Sequence, residues 1–287
     1  MRLLLELQPT LDRNFVSKSI QFAVPKLIRF LLNKSKHENI ESYKTKKLSE
    51  YLAYNLRITP KPRTYNDSLL VGDKNIFKLT FSSYSKEILE ILNESILTLN
   101  QILMMNVKLK ITNIELLENE EVSTKIKVRP MAPILSGEIK EGGTFPFYYK
   151  WKQPEFLDTI KKQLKSSYNA THETPIEENI EIVFDKNFIR YNKDISQLVK
   201  IYKKNHRAIW APLFISGPTE LIQYALDMGL GINRELGYGM IENYTPKARP
   251  KKVKKVNPNT LPDNFGNLIE NNPIHEEKEI DETNFNR

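Results

Sequence analysis

The sequence predicts an α+β protein that is built from two tandem βαββαβ units. The first observation behind this prediction is the order of apolar patterns in residues 1–120, which runs strand, helix, strand region, strand, helix and strand. The second observation is that the same order recurs in residues 121–245, although the two segments repeat no sequence. Each unit has the element order of a ferredoxin-like domain, so we expect two such domains, followed by a tail over residues 246–287.

The first unit begins with MRLLLELQP, whose apolar run predicts a strand. Apolar residues then recur at helical spacing from Val16 to Leu31, and Pro25 lies inside this pattern, where it should kink or divide the helix. Alternation in IFKLTFSS predicts a strand from residue 76, and Ser85 can cap the helix that follows. The other predicted elements are a short helix near 44–54, extended pieces around 56–71, a helix with its apolar stripe from Ile88 to Leu99 and a strand from residue 107.

The second unit repeats this order with different residues. TKIKVRPMAPIL predicts a strand over 124–135, and Pro154 with Glu155 begins a helix. The segments 180–184 and 208–216 predict two further strands. The last helix begins after Gly217 and ends at Gly229, which stands where a C-terminal glycine cap belongs, and residues 239–244 predict the final strand.

Composition restricts the classes of function. The 287 residues contain no cysteine, which excludes disulfides and thiolate metal sites and makes a reducing cytoplasm the expected location. No segment is long and apolar enough to predict a membrane span. The net charge is +8, and residues 1–245 carry +7 of it, with 35 basic and 28 acidic residues. A basic folded body indicates a polyanionic partner, most often nucleic acid.

The tail changes in composition along its length. Six basic residues lie between 247 and 255, and an Asn- and Glu-rich acidic end follows. Because the tail shows no apolar period, residues 246–287 are predicted to be disordered. The basic run could contact phosphates or be a solvated charge run, and the sequence leaves both interpretations open.

The stretch GLGINRELGYGM, residues 229–240, concentrates four of the ten glycines of the chain. It does not match the dinucleotide fingerprint, because it follows a predicted helix and precedes a strand, and it lacks the Gly-Lys-Ser/Thr of a P-loop. A glycine-rich connection of this kind can expose main-chain N–H groups to an anion, and Arg234 could add bidentate contact with a phosphate.

The pattern helix–GxGxxxxxGxG–strand resembles that of the RAMP superfamily, the repeat-associated RNA-binding proteins of CRISPR systems. The matching glycines are Gly229, Gly231, Gly237 and Gly239. The segments MRLLLEL, VRPMAPIL, FLDTIKKQL, IEIVF and APLFISGPTELIQYALDMG resemble the CRISPR repeat-cleaving endoribonuclease family in particular. The resemblance covers residues 1–245, and the glycine loop is its most specific part.

The resemblance implies an enzyme that cuts the repeat RNA of a precursor without metal or another cofactor, leaving a 2′,3′-cyclic phosphate and a 5′-hydroxyl. It also implies a catalytic histidine just after the first helix, where His37 stands among lysines. Histidine suits general acid–base work because its pKa lies near neutrality. Tyr43 and Lys46 are the predicted proton or charge partners of His37.

The RNA-binding prediction rests on the glycine loop and on nearby cations. The residues assigned to it are Gly229, Gly231, Arg234, Gly237, Gly239 and, on the strand that opens the second unit, Lys127 and Arg129. Tyr148, Tyr149 and Trp151, in FPFYYKW, could stack on bases, although packing in the core is favoured for all three. The expected partner is CRISPR repeat RNA, and subunits of a CRISPR effector complex and a homodimer are left open as further partners.

Two other functions are compatible with the sequence. A non-catalytic RAMP-type subunit of an effector complex would bind RNA with the same fold but would not need His37. An unrelated basic α+β protein could use the glycine loop as a purely structural connection. Cleavage of repeat RNA separates the first alternative from the enzyme, and binding of RNA separates the second from both.

Overall fold

The computed structural model describes residues 1–11, 13–66, 68–118, 121–192, 194–201 and 204–244. The predicted disordered tail, residues 246–287, and its basic run lie outside the described residues. Residues Met1–Thr245 pack as one unit that contains two large antiparallel sheets. Among the described residues, no helix combines the length and the apolar character that crossing a bilayer requires.

The first half of the unit holds a five-stranded sheet in the order β3-β6-β1-β8-β7 and a small sheet in the order β2-β5-β4. Helices α1 and α3 cover one face of the larger sheet. The elements are β1 (Arg2–Pro9), β2 (Asn14–Ser17), α1 (Val24–Lys34), α2 (Ile40–Thr45), β3 (Ala53–Thr59), β4 (Arg63–Tyr65), β5 (Ser68–Val71), β6 (Ile76–Ser82), α3 (Lys86–Leu97), β7 (Gln101–Met104) and β8 (Val107–Leu117).

The second half holds a four-stranded sheet in the order β12-β15-β9-β16 and two hairpins, β10-β11 and β13-β14. Helices α4 and α6 cover this sheet. The elements are β9 (Lys125–Pro130), β10 (Gly137–Glu138), β11 (Phe147–Tyr148), α4 (Glu155–Thr171), β12 (Glu181–Phe184), α5 (Lys186–Tyr191), β13 (Ser196–Ile201), β14 (Lys204–Ile209), β15 (Leu213–Ser216), α6 (Thr219–Met228) and β16 (Ile241–Asn243).

The two sheets share one topology. If the strands of each βαββαβ unit are counted in chain order, β3-β6-β1-β8 and β12-β15-β9-β16 both read second, third, first, fourth. This is the ferredoxin-like arrangement, and the predicted fold class is confirmed. The first sheet gains β7 as an additional edge strand, which the sequence pattern did not predict.

The apolar periods explain where the two cores lie. Along β1, Leu3, Leu5 and Leu7 are fully buried and alternate with half-buried residues, as expected for a strand with one covered face. Residues such as Ile28 and Leu92 bring α1 and α3 onto that face. The second core has the same construction, with apolar residues of β9 and β15 packed against α4 and α6.

Local predictions near α1 and α3 had different outcomes. Pro25 divides the first helix as predicted, because a 3₁₀ turn (Ile20–Ala23) precedes α1 and Pro25 lies in the first turn of α1, where a missing N–H is tolerated. The helix predicted near 44–54 is shorter and earlier, consisting of α2 and a 3₁₀ turn at Leu48–Glu50. Ser85 is the N-cap residue of α3 as predicted, but its side chain makes no capping hydrogen bond.

Several direct contacts join the two halves. The Arg2 guanidinium on β1 donates to the carbonyl oxygens of Leu226 (3.3 Å) and Ile241 (2.6 Å). The Asn55 amide on β3 donates to the Met131 carbonyl oxygen (2.8 Å). The Arg2 bonds bring the start of β1 against α6 and β16, the two elements that flank the glycine-rich loop. The Asn55 bond brings β3 against the segment that follows β9.

Candidate functional site

The segment between α1 and α2 is shaped by short hydrogen bonds that involve His37. The His37 backbone N–H donates to the Ser35 hydroxyl oxygen (3.1 Å). The Asn39 backbone N–H donates to Nδ1 of His37 (3.3 Å). The imidazole is 32% exposed, so it is fixed on one side and open on the other. Because Nδ1 accepts a hydrogen bond, the neutral ring carries its hydrogen on Nε2.

Glu87, in the first turn of α3, connects the predicted catalytic residues. Its Oε1 lies 3.8 Å from Nδ1 of His37 and accepts a hydrogen bond from the Asn39 side chain (2.7 Å). Its Oε2 accepts a hydrogen bond from the Tyr43 hydroxyl (2.7 Å). The hydrogen bonds from Asn39 and Tyr43, together with the nearby imidazole, hold the pKa of the Glu87 carboxyl below its ordinary value. The group is therefore an anion at neutral pH.

Tyr43 lies on α2 and is almost fully buried. Its ring packs edge-on against Tyr51, with the centroids 5.3 Å apart, and its hydroxyl also lies 3.0 Å from the Ser85 hydroxyl. Burial, followed by the contact with Glu87, raises the pKa of Tyr43 to about 12, although the bond to Ser85 opposes this rise. The phenol is therefore neutral at physiological pH and is held toward α3.

Lys46 completes the group. Its ammonium lies 5.7 Å from the centre of the Tyr43 ring, and the side chain is exposed. The Arg29 guanidinium donates to the carbonyl oxygens of Lys44 (2.7 Å) and Lys46 (2.9 Å), which fixes the end of α2 against α1. We refer to His37, Asn39, Tyr43, Lys46 and Glu87 as the histidine cluster. Sequence reasoning missed Asn39 and Glu87, and Glu87 lies 50 positions beyond His37, so no local spacing indicates their contact.

The glycine-rich loop, residues 229–239, has a backbone that only glycine adopts readily. Gly229, Gly231, Gly237 and Gly239 all have φ between 75° and 81°. A Cβ on Gly231 would lie 2.0 Å from the Leu135 carbonyl oxygen, and one on Gly239 would lie 2.1 Å from that of Leu230. Gly229, Gly231 and Gly239 are therefore required because protein backbone passes against protein backbone, whereas Gly237 packs against the Tyr54 ring.

This packing corrects the prediction that the loop can expose its main-chain N–H groups to an anion. The Leu230 N–H donates to the Gly239 carbonyl oxygen (2.8 Å), the Ile232 N–H to that of Leu135 (3.0 Å), and the Gly239 N–H to that of Pro133 (3.0 Å). These donors are committed inside the protein. Only the middle of the loop, residues 231–236, is half-exposed, and residues 231–235 line a cavity of about 580 Å³ together with Lys47.

Arg234 also differs from expectation, because its guanidinium turns inward. Its Nη1 donates to the Met228 carbonyl oxygen at the end of α6 (3.3 Å). Burial lowers the pKa of the Arg234 guanidinium, while Tyr224 and Glu235 favour the charged form. A cation at a helix C terminus stabilises that helix, so Arg234 has a structural contact besides the predicted RNA contact, which remains a prediction.

Lys127 and Arg129 lie on the same face of β9, opposite the core, as their spacing requires. The Lys127 ammonium lies 2.6 Å from Oδ2 of Asp185, and Nε of Arg129 lies 2.5 Å from Oε1 of Glu242. The ring of Tyr244 lies 4.8 Å from the Lys127 ammonium and 5.8 Å from the Arg129 guanidinium carbon. Both cations already have carboxylate partners, with which an RNA phosphate would compete.

The aromatic residues of FPFYYKW divide between core and surface. Tyr148 packs on His206 with ring centroids 3.9 Å apart, and Tyr149 is buried. Trp151 packs edge-on against Phe184. Their predicted packing is confirmed, while Phe145 and Phe147, which the sequence argument passed over, are 75% and 46% exposed.

One family model and three solved structures show that the chain is similar to proteins described as Cas6, Cas6-related or RAMP proteins. Residues 116–243 match the family model described as "CRISPR associated protein Cas6, C-terminal". A search of curated protein sequences gave no significant match. Three solved structures share the fold of the chain over nearly their whole length, at identities below 20%.

The first of these structures is described as "CRISPR associated protein Cas6", with 19% identity and a TM-score of 0.69 over 85% of this chain and 99% of that one. The second is of a Cas6-related gene from Pyrococcus furiosus, with 17% identity and a TM-score of 0.72 over 86% and 99%. The third is described as "An RAMP protein binding different RNA substrates", with 16% identity and a TM-score of 0.68 over 85% and 100%.

The chain thus shares its tandem ferredoxin-like fold with solved proteins described as Cas6 and RAMP proteins. Over residues 116–243 its sequence matches the C-terminal domain of Cas6, and the resemblance predicted from the sequence is confirmed.

Proposed function

We propose that the protein is a metal-independent endoribonuclease that binds CRISPR repeat RNA and cleaves the precursor within each repeat. The products would carry a 2′,3′-cyclic phosphate and a 5′-hydroxyl. The observation that carries the proposal is the position of His37, half-exposed, held by the Asn39 N–H and beside the hydrogen-bond network of Glu87, in a chain that matches the Cas6 C-terminal domain. A purely structural surface histidine would not need this network.

The chemistry involves two proton transfers and a charge that must be offset. The ribose 2′-oxygen attacks the adjacent phosphorus and its proton passes to solvent water, the departing 5′-oxygen gains a proton as its bond to phosphorus breaks, and charge on the phosphate must be offset. We assign proton donation to the 5′-oxygen to His37, because its Nδ1 is engaged by Asn39 and the hydrogen of the neutral ring lies on Nε2. The cleavage is an intramolecular displacement, in which positioning supplies much of the rate.

The other members of the histidine cluster take supporting roles in this proposal. The exposed ammonium of Lys46 would face the phosphate and offset its charge. Glu87 would help to orient the imidazole, while Tyr43 and Asn39 would hold Glu87 in place. Tyr43 is thus a positioning residue here, because its hydroxyl already donates to Glu87.

RNA affinity would come from contacts outside the cluster. The predicted contacts at Lys127, Arg129 and the glycine-rich loop remain part of the proposal, and phosphate contacts of this kind make binding weaken with salt. Association with effector-complex subunits, a homodimer and a cytoplasmic location also remain predictions.

The test is a cleavage assay with the repeat RNA of the neighbouring CRISPR array in buffer containing EDTA. The wild type should cut the RNA at one position and leave the two end groups named above. His37→Ala should lower the cleavage rate by about 10²–10⁴-fold, the contribution expected of a general acid, while binding stays within about twofold. His275→Ala is the matched control, because His275 has no role in the proposal, and it should cleave like the wild type.

Each other outcome selects an alternative. Full cleavage by His37→Ala would remove His37 from the mechanism. Tight RNA binding by the wild type without cleavage would favour a non-catalytic RAMP-type subunit. Failure of the wild type to bind the repeat RNA at moderate salt would favour a protein whose glycine-rich loop is only structural.

A further inference from the structure

A polar cavity of about 580 Å³ lies beside the glycine-rich loop, and we call it the loop cavity. Its volume falls within the roughly 300–1,000 Å³ of pockets that hold small organic ligands. Four parts of the chain line it, namely Lys47 and Ser49 after α2, residues 137–139 with 144–146 around the β10–β11 hairpin, Gln163 and Ser167 of α4, and residues 231–235. A ligand bound in the cavity would therefore contact both halves of the protein.

The rim of the cavity carries exposed aromatic side chains. Phe145 lines the cavity and is 75% exposed, far more than phenylalanine usually is. Phe147 nearby is 46% exposed, with the Lys140 ammonium 4.2 Å from its ring centre. Exposed aromatic faces beside a cation are the surface on which proteins stack the bases of single-stranded RNA.

The walls of the cavity fit a base better than a run of phosphates. Glu138 and Glu235 line it, and carboxylates repel phosphate but accept hydrogen bonds from the amino groups of bases. Oε1 of Gln163 is buried and receives no hydrogen bond from the described residues, while its amide nitrogen donates to the Gly137 carbonyl oxygen (2.7 Å). Lys47 is the exposed cation of the lining that could meet a backbone phosphate at the entrance.

The cavity also adjoins the histidine cluster. Lys47 lines the cavity, and its chain neighbour Lys46 belongs to the cluster, so their Cα atoms are separated by a single peptide unit of about 3.8 Å. An RNA strand with its scissile phosphate at His37 therefore reaches the cavity within a few nucleotides. A base held there would fix the register of the strand relative to the cleavage site.

We propose that the loop cavity binds one nucleotide of the repeat RNA, close to the cleavage site, with its base turned out of the strand and stacked on Phe145. This inference rests on the proposed function, since it needs RNA as the ligand. It assigns to the hairpin loop between β10 and β11 a role in choosing the position of the cut.

The experiment uses repeat RNAs that each carry one 2-aminopurine, placed in turn at each nucleotide on either side of the cut. Binding is measured with the full chain carrying His37→Ala, so that the RNA stays intact. At one position, the fluorescence of 2-aminopurine should rise on binding, because the base leaves the stack of its neighbours. Adding Phe145→Ala should remove that rise and weaken binding by about tenfold, the loss expected from one base–aromatic stack.

Two further variants are matched to Phe145→Ala. Phe145→Trp keeps an aromatic face and should retain both the position of the fluorescence response and the affinity. Phe30→Ala removes an exposed phenylalanine from α1, outside the lining of the loop cavity, and should leave both unchanged. Because Phe145 is exposed, all variants should unfold at the same temperature as the parent.

If the RNA binds and is cut by the wild type but no position responds to Phe145→Ala, the cavity proposal is overturned and the proposed function stands. If the wild type binds no repeat RNA, the proposed function fails and the cavity proposal fails with it. Equal losses from Phe145→Ala and Phe30→Ala would show a nonspecific effect and would also overturn the cavity proposal.

Discussion

The glycine-rich loop and the histidine cluster differ in how their polar groups are used. In the loop, the N–H groups of Leu230, Ile232 and Gly239 are bonded to carbonyl oxygens of the protein itself. In the cluster, His37 is 32% exposed and Glu87 is 35% exposed, and their bonds orient side chains without covering them. The glycine-rich loop, which has the more specific sequence pattern, thus has more of its polar groups hydrogen-bonded within the protein.

The difference teaches that a pattern can be diagnostic of a family for architectural reasons. The four glycines allow the chain to pass against Leu135, Leu230 and Tyr54 at distances that no side chain permits. That packing forms one wall of the loop cavity and holds α6 close to β16. The chemistry is left to side chains on neighbouring segments, where polar groups stay accessible.

The strongest test of this comparison is Gly231→Ala. Its Cβ would meet the Leu135 carbonyl oxygen at 2.0 Å, and the backbone would have to keep a φ of 80°. We expect a loss of about 3–5 kcal/mol in the free energy of unfolding, because left-handed strain and overpacking add together. Urea denaturation followed by circular dichroism measures it.

Gly142→Ala is the control for backbone strain alone. Gly142 has a φ of 73°, but an added Cβ would meet nothing within 4 Å. It should cost only about 1 kcal/mol. Equal losses from the two variants would contradict the claim that close backbone approach, rather than positive φ, makes the loop glycines necessary.

How much of this could be predicted varied with the length of the pattern. Strand β1 was predicted from its apolar run, and β6 from the alternation of Phe77, Leu79 and Phe81. By contrast, residues 208–216 were predicted to be one strand but form the end of β14 and all of β15. Pro212 lies between the two strands and has no N–H to donate to a ladder, so the apolar run hides a break.

The candidate site was predicted only in part. His37, Tyr43 and Lys46 lie close in sequence, and the structure joins them through contacts within the histidine cluster. Glu87 comes from another helix, and only tertiary packing of α3 against α1 brings it near. Similarly, an exposed Phe145 and a buried Tyr149 are four residues apart, and no period distinguishes them in an irregular hairpin loop.

A second test concerns Arg234, the cation of the loop that turns inward. Arg234→Met should lower the free energy of unfolding by about 1–2 kcal/mol, because the end of α6 loses a charged donor. Arg207→Met, which removes a 53% exposed arginine from a surface ion pair, should cost well under about 1 kcal/mol. Thermal unfolding of the two variants compares them directly.

RNA binding extends the same test. If the internal contact of Arg234 persists in the complex, Arg234→Met leaves the salt dependence of binding unchanged. Lys47→Met, which removes an exposed cation of the loop cavity, should reduce the slope of log K against log salt by about 1. A reduced slope for Arg234→Met would instead support the phosphate contact that the sequence predicts.

The smallest effect on stability is expected at Glu87, and its pH dependence separates it from the others. Because the pKa of Glu87 is below its ordinary value in the folded protein, its carboxylate stabilises the fold above about pH 4.5, and this contribution is lost as pH falls further. Glu87→Gln should therefore be less stable than the wild type at pH 7, by under about 1 kcal/mol for so exposed a group, and equally stable near pH 3.

Cleavage should also fall, though less than in His37→Ala, because the imidazole loses its orienting anion. Glu90→Gln, one turn further along α3 and paired with Lys86 at the surface, is the control and should leave cleavage unchanged. A difference in stability between Glu87→Gln and the wild type that stayed constant from pH 7 to pH 3 would show that the carboxylate charge of Glu87 stabilises nothing in the histidine cluster.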